Sequence, residues 1–124
     1  MSTADQALEA KSAANPDEVR PFVDRGRMDV VHLSSGDAGH GVFEPGWRWS
    51  EHVKPIAGTD SCQVAHVGYV LRGRMHVAMD GGEEIEVAAG DFYNLPPGHD
   101  AWIVGQETCE MVDFGGLHGY AQQA

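Results

Sequence analysis

A chain of 124 residues is long enough for one modest hydrophobic core and too short for two domains of ordinary size. A formal net charge of −11, with eight scattered Lys and Arg against nineteen Asp and Glu, argues against nucleic acid or an anionic membrane as partner, since both require clustered cations. No apolar run approaches the roughly 18 residues of a membrane span, and the Ala-rich start has neither a basic leader nor an apolar signal core, so the expected location is the cytoplasm. Sixteen Gly and six Pro, spread among short Val-, Ile- and Tyr-bearing runs, predict an all-β chain with many tight turns. Residues 1–15 are polar and Ala-rich without a sustained apolar face, which predicts a flexible arm before one domain over 16–124.

Pro16 to Phe22 reads as an edge strand and Arg27 to Leu33 as a short strand, followed by a turn cluster from Ser34 to Gly39. Gly41 to Glu44 is the next strand, closed by Pro45-Gly46. Trp47 and Trp49 alternate with Arg48 and Ser50, a period of two that puts both indoles on one face. Ala57 to Gln63 reads as a loop, His66 to Leu71 as a strand, and Met75, Val77 and Met79 alternate on another. Asp80-Gly81-Gly82-Glu83 supplies a hairpin turn, because Gly takes positive φ without strain, and Ile85 and Val87 continue on the return strand. Phe92 to Leu95 is broken by Pro96-Pro97-Gly98, and Ala101 to Val104 and Thr108 to Phe114 close the set. Short strands at regular spacing make a sandwich or barrel. The two cysteines, Cys62 and Cys109, are expected as thiols, Cys109 as a small hydrophobe within a strand.

The order Gly46, His52-Val53-Lys54-Pro55, His66-Val67-Gly68-Tyr69-Val70-Leu71-Arg72-Gly73, then Gly90-Asp91 and Pro96-Pro97-Gly98-His99-Asp100-Ala101 resembles the two motifs of the cupin family. The resemblance spans Phe43 to about Phe114 and implies a double-stranded β-helix, the jelly-roll barrel, with a single divalent metal inside. Many cupins exchange an N-terminal strand between subunits, so it also implies a homodimer. The family pattern places three His and one Glu on the metal. Here the first His is His52, the second position holds Lys54, the Glu position holds His66, and the last His position holds Ala101. A stretch from Ile56 to Ala65 separates the halves of the first motif more widely than usual.

Replacement donors stand near the changed positions. His66 is itself a metal ligand and is expected to point inward; His99 lies two residues before Ala101, and Cys62 four before His66. His52, Cys62, His66 and His99 thus form a mixed nitrogen and sulfur set suited to Zn, Cu, Fe or Ni, with Mn also in the expected range. Lys54 has two readings: lining the barrel, it would pair with a substrate carboxylate or act as base or nucleophile, and pointing outward it would sit near Glu51 or Asp60. Trp47, Trp49, Tyr69 and Trp102 are the aromatic candidates for a pocket wall, beside Lys54. His32, His40, His76 and His118 have no motif support and read as surface or structural residues.

Two functions of different class follow. One is a metal-dependent enzyme of oxygenase, isomerase or lyase type acting on a small molecule; the other is a non-catalytic, metal-free sensory or regulatory cupin that binds a small ligand.

Overall fold

The computed structural model describes residues 7–115 and 120, and His118 lies outside them. Nine strands are defined: β1 (Glu18–Pro21), β2 (Gly26–Leu33), β3 (Gly36–Phe43), β4 (His66–Arg72), β5 (Arg74–Met79), β6 (Glu84–Ala88), β7 (Phe92–Leu95), β8 (His99–Ile103) and β9 (Cys109–Asp113). They form a six-stranded sheet in the order β1-β2-β3-β9-β4-β7 and a three-stranded sheet in the order β6-β5-β8. All neighbours described are antiparallel. The chain is an all-β barrel, and alternation along the strands fills it. Met28, Val30, Phe43, Val70 and Met111 enter from the larger sheet, and Met75, Val77, Ala101 and Ile103 from the smaller, into one core.

Two segments differ from expectation. Ser34 and Ser35 alone make the turn between β2 and β3, with Leu33 already paired to Gly36, so Gly36 to Gly39 belong to the strand. The stretch after Arg48 turns into two short helical turns, α1 (Trp49–His52) and α2 (Lys54–Ala57). Pro55 near the start of α2 pre-sets its φ, and Gly58, left-handed at φ 77, ends it. Both indoles still enter the core, Trp47 from the loop and Trp49 from the first helical position.

On β4 the inward positions are His66, Gly68 and Val70, with Val67 exposed between them. A Cβ on Gly68 would stand 2.0 Å from the Val112 carbonyl oxygen and 2.4 Å from the Tyr93 hydroxyl. Backbone in the middle of a sheet yields little. Gly68→Ala is expected to destabilise the fold by about 1–3 kcal/mol through overpacking. A chemical denaturation midpoint equal to that of wild type would contradict this.

Candidate metal centre

Three of the four expected donors meet inside the barrel. One ligand atom each from Cys62, His66 and His99 lies within 4.8 Å of the others, and all three residues are buried. Each arrives by a different local device. His66 opens β4 on its inward parity, paired with Leu95 of β7. His99 opens β8 directly after the Pro96-Pro97-Gly98 turn, in which Gly98 holds φ 95. Cys62 is not on an extension of β4. It forms an isolated antiparallel bridge with His99, its N–H donating to the His99 carbonyl at 2.7 Å while its own carbonyl accepts from Gly98 at 2.7 Å.

Behind the donors, both imidazoles are anchored at Nδ1. That of His66 donates to Asp113 Oδ2 at 2.5 Å, and that of His99 to the Pro96 carbonyl at 2.7 Å. Both partners are pure acceptors, so Nδ1 of each ring carries a proton and Nε2 is the atom left open to a second proton or to a metal. His66 Nε2 lies 3.6 Å from Cys62 Sγ. Burial pushes the Cys62 thiol up, but hydrogen bonds to His66 and His99, and their charges, outweigh it and bring the thiol down to about 6. Burial likewise pushes the His66 imidazole down, while its bonds to Asp113 and Cys62 prevail and raise it to about 9. At neutral pH the metal-free cluster is therefore a thiolate beside an imidazolium, backed by a carboxylate.

The two histidines border a cavity of about 30 Å³ whose wall also includes Trp47, Trp49, Met75, Met111, Tyr93 and Tyr120. The Tyr120 ring meets His66 edge-on, with centroids 4.7 Å apart, and its carbonyl accepts from Arg20 Nη1 at 2.9 Å.

Four of the other expected site residues, His52, Lys54, Tyr69 and Trp102, lie elsewhere. His52 ends α1 half-buried, its Nδ1 accepts from the Arg48 backbone N–H at 3.0 Å, and it lines a separate open cleft with Asp24, Arg25 and Glu51. Lys54, at the start of α2, stands 3.7 Å from Asp60 and is not among the described residues that line the cavity. Tyr69 alternates outward on β4 and packs on Phe92 at 4.7 Å. Trp102, outward on β8, meets the Arg48 guanidinium at 4.3 Å and stacks with the His76 ring at 4.7 Å. Trp47 and Trp49 do line the cavity.

Asp113, Tyr93 and Tyr120 join the site unforeseen. The signal for Asp113 was present: Cys109, Met111 and Asp113 share the inward parity of β9, and a carboxylate at such a position needs a buried partner. Tyr120 has no local signal.

A model of the Cupin domain family matches residues 56–115. No curated protein matches the chain. Among solved structures, a protein of unknown function from Acidithiobacillus ferrooxidans is similar over 90% of this chain and 97% of its own, at 19% identity and a TM-score of 0.57. A Cupin 2 conserved barrel domain protein from Salinispora arenicola is similar at 20% identity, covering 87% of each chain, with a TM-score of 0.55. Oxalate decarboxylase from Lactobacillus farciminis is similar at 15% identity over 92% of this chain and 36% of its own, with a TM-score of 0.55. At such identities the likeness is one of fold.

Proposed function

Starting from a chain that carries a small cupin domain, we propose that it binds one divalent transition metal through Cys62, His66 and His99, and acts on a small oxygen-donor molecule held in the barrel. The observation that carries this is the pair of anchored Nδ1–H groups: Asp113 and the Pro96 carbonyl orient both rings with Nε2 free, the second layer that metal-ligating histidines need. The donor set fits the group, because Cys62, brought down to about 6, offers a thiolate at neutral pH, the metal displacing the one proton held on His66, and one sulfur with two imidazoles suits Zn, Cu, Fe or Ni better than Mn. A metal bound there supplies Lewis acidity, with three protein ligands leaving a position for an exogenous oxygen. Asp113 keeps His66 in its ligating tautomer. The wall of Trp47, Trp49, Tyr93 and Tyr120 limits the water that reaches the donors.

The test is spectroscopic. Untagged full-length chain, stripped and titrated with Co(II), is expected to take up one equivalent with a thiolate-to-cobalt charge-transfer band, and Cys62→Ser to lose that band. With metal at about a hundredfold above its Kd, wild type gains about 2.7 kcal/mol of stability. A protein that shows no band and gains no stability from Zn, Ni, Cu, Mn or Fe(II) removes this reading. The non-catalytic, metal-free ligand-binding alternative then takes its place, favoured by the way the thiolate and imidazolium already satisfy each other.

The proposal extends to a homodimer. Val67, Leu71 and Phe92 are exposed apolar residues on β4 and β7, and β7 is a sheet edge. Light scattering at micromolar concentration is expected to return twice the chain mass; a monomer there contradicts it.

A further inference from the structure

Trp47 and Trp49 are each 2% exposed, and the indole Nε1 of each is buried without a hydrogen-bond partner among the described residues. A buried N–H left unpaired is costly, and native structures leave few of them. Here the two belong to residues that line one cavity. The acceptors described around the metal-donor cluster bond to other groups. Asp113 accepts from His66 through Oδ2 and from the Gly115 N–H through Oδ1, and the Pro96 carbonyl accepts from His99. Among the described residues no acceptor meets the two indoles, which makes room for one from a bound ligand. Its size is limited, because about 30 Å³ holds one or two water-sized bodies. Its chemistry is limited too. An anion asks only for donors, which is what the two indoles offer, whereas water also needs acceptors for its two protons.

We propose that the cavity is a site for a compact anion of about two or three non-hydrogen atoms, whose one end accepts from the indole N–H groups of Trp47 and Trp49 and whose other end fills the open position of the Cys62, His66 and His99 centre. The assignment rests on the metal reading above and names the ligand class of that site. The two tryptophans act as specificity residues: they reward an acceptor-only ligand and give nothing to an apolar molecule of the same size.

Azide is the probe, added to the Co(II)-loaded full chain and followed by the cobalt absorption and by the indole N–H resonances of Trp47 and Trp49. Azide is expected to change the cobalt spectrum and to shift both N–H signals. Trp47→Phe and Trp49→Phe are each expected to weaken azide about tenfold, the loss of one hydrogen bond to a charged acceptor. Trp102→Phe, whose indole lies outside the cavity, should leave azide binding unchanged. Cobalt binding with azide affinity equal in all four proteins, and N–H signals that azide leaves unmoved, would overturn the proposal and assign the cavity to water. The wild-type N–H signals decide the matter even if a Phe variant fails to fold. If wild type shows no cobalt band, the metal reading falls on its own. Azide that then still shifts both indole signals sustains the anion site, and azide that shifts neither removes it.

Discussion

Replacing His66 with Ala is expected to empty the barrel of metal and to cost about 3–5 kcal/mol of folding stability even in the metal-free protein. The two effects have separate causes. Metal loss follows from removing one of three ligand residues and from freeing Cys62 of its nearest partner, at 3.6 Å. The stability loss follows from Asp113, which is 3% exposed and in the variant keeps, among the described residues, only the Gly115 N–H at 3.2 Å. Breaking a buried pair by removing one partner is costly because the other charge stays behind. The Ala variant also leaves a void against Tyr120, which adds a packing loss in the same direction. His66→Ala combined with Asp113→Ala should therefore cost less than the sum of the two single changes, since the second removes the charge that the first strands. His52→Ala should keep the metal, because His52 lines a different cleft. Denaturant melts of stripped wild type, the two single variants and the double variant, with metal content measured on loaded wild type, His66→Ala and His52→Ala, check all of this. If His66→Ala retains metal, or unfolds within 1 kcal/mol of wild type, the centre as described is wrong.

The pattern of strands was legible because alternation is a local property. His66, Gly68 and Val70 point inward and Val67 and Tyr69 outward for the same reason that β4 is pleated, and the hairpin at residues 80–83 follows from Gly82 at φ 102. The helical turns at Trp49 and Lys54 were not legible, since Trp-x-Trp satisfies a period of two as well as a helical start, and only the placement of Val53 and Pro55 decides between them. This affects the site directly. The turn carries Lys54 out to Asp60 and leaves His52 bonded to Arg48, although both hold motif positions that imply an inward direction. Cys62 and His99 were legible as donors but not as neighbours. Their bridge is a long-range pairing fixed by Gly98 and the loop after α2, and residue spacing contains no information about it. The unpaired indole N–H groups are the extreme case. Any buried Trp has an N–H, and only the packing reveals which lack an acceptor.

The proton shared by Cys62 and His66 gives the second large effect. In metal-free protein the Cys62 thiolate should form with a midpoint of about 6 instead of the usual 9.0, while His66 keeps its proton up to about 9. Taken singly, the depressed thiol contributes stability that is present above 9.0 and lost as pH falls through about 6. The raised imidazole contributes stability that is present below 6.5 and lost as pH rises through about 9. Between 6.5 and 9 these slopes oppose each other. The folded pair holds one proton, on the ring, and the unfolded pair also holds one, on the sulfur, so the pair adds no pH dependence to stability in that window. Stability is thus a poor reporter, and the thiolate itself is the signal to follow. Ultraviolet absorbance should register one thiolate across neutral pH, cleanly, because burial pushes Cys109 up to about 12. His66→Gln removes the principal partner of the sulfur while leaving it buried, so the Cys62 midpoint should climb back by at least about two pH units and the thiolate at pH 7 fall by at least about tenfold. A wild-type midpoint near 9.0, or a His66→Gln protein with the thiolate intact at neutral pH, would show that His66 does not hold this proton.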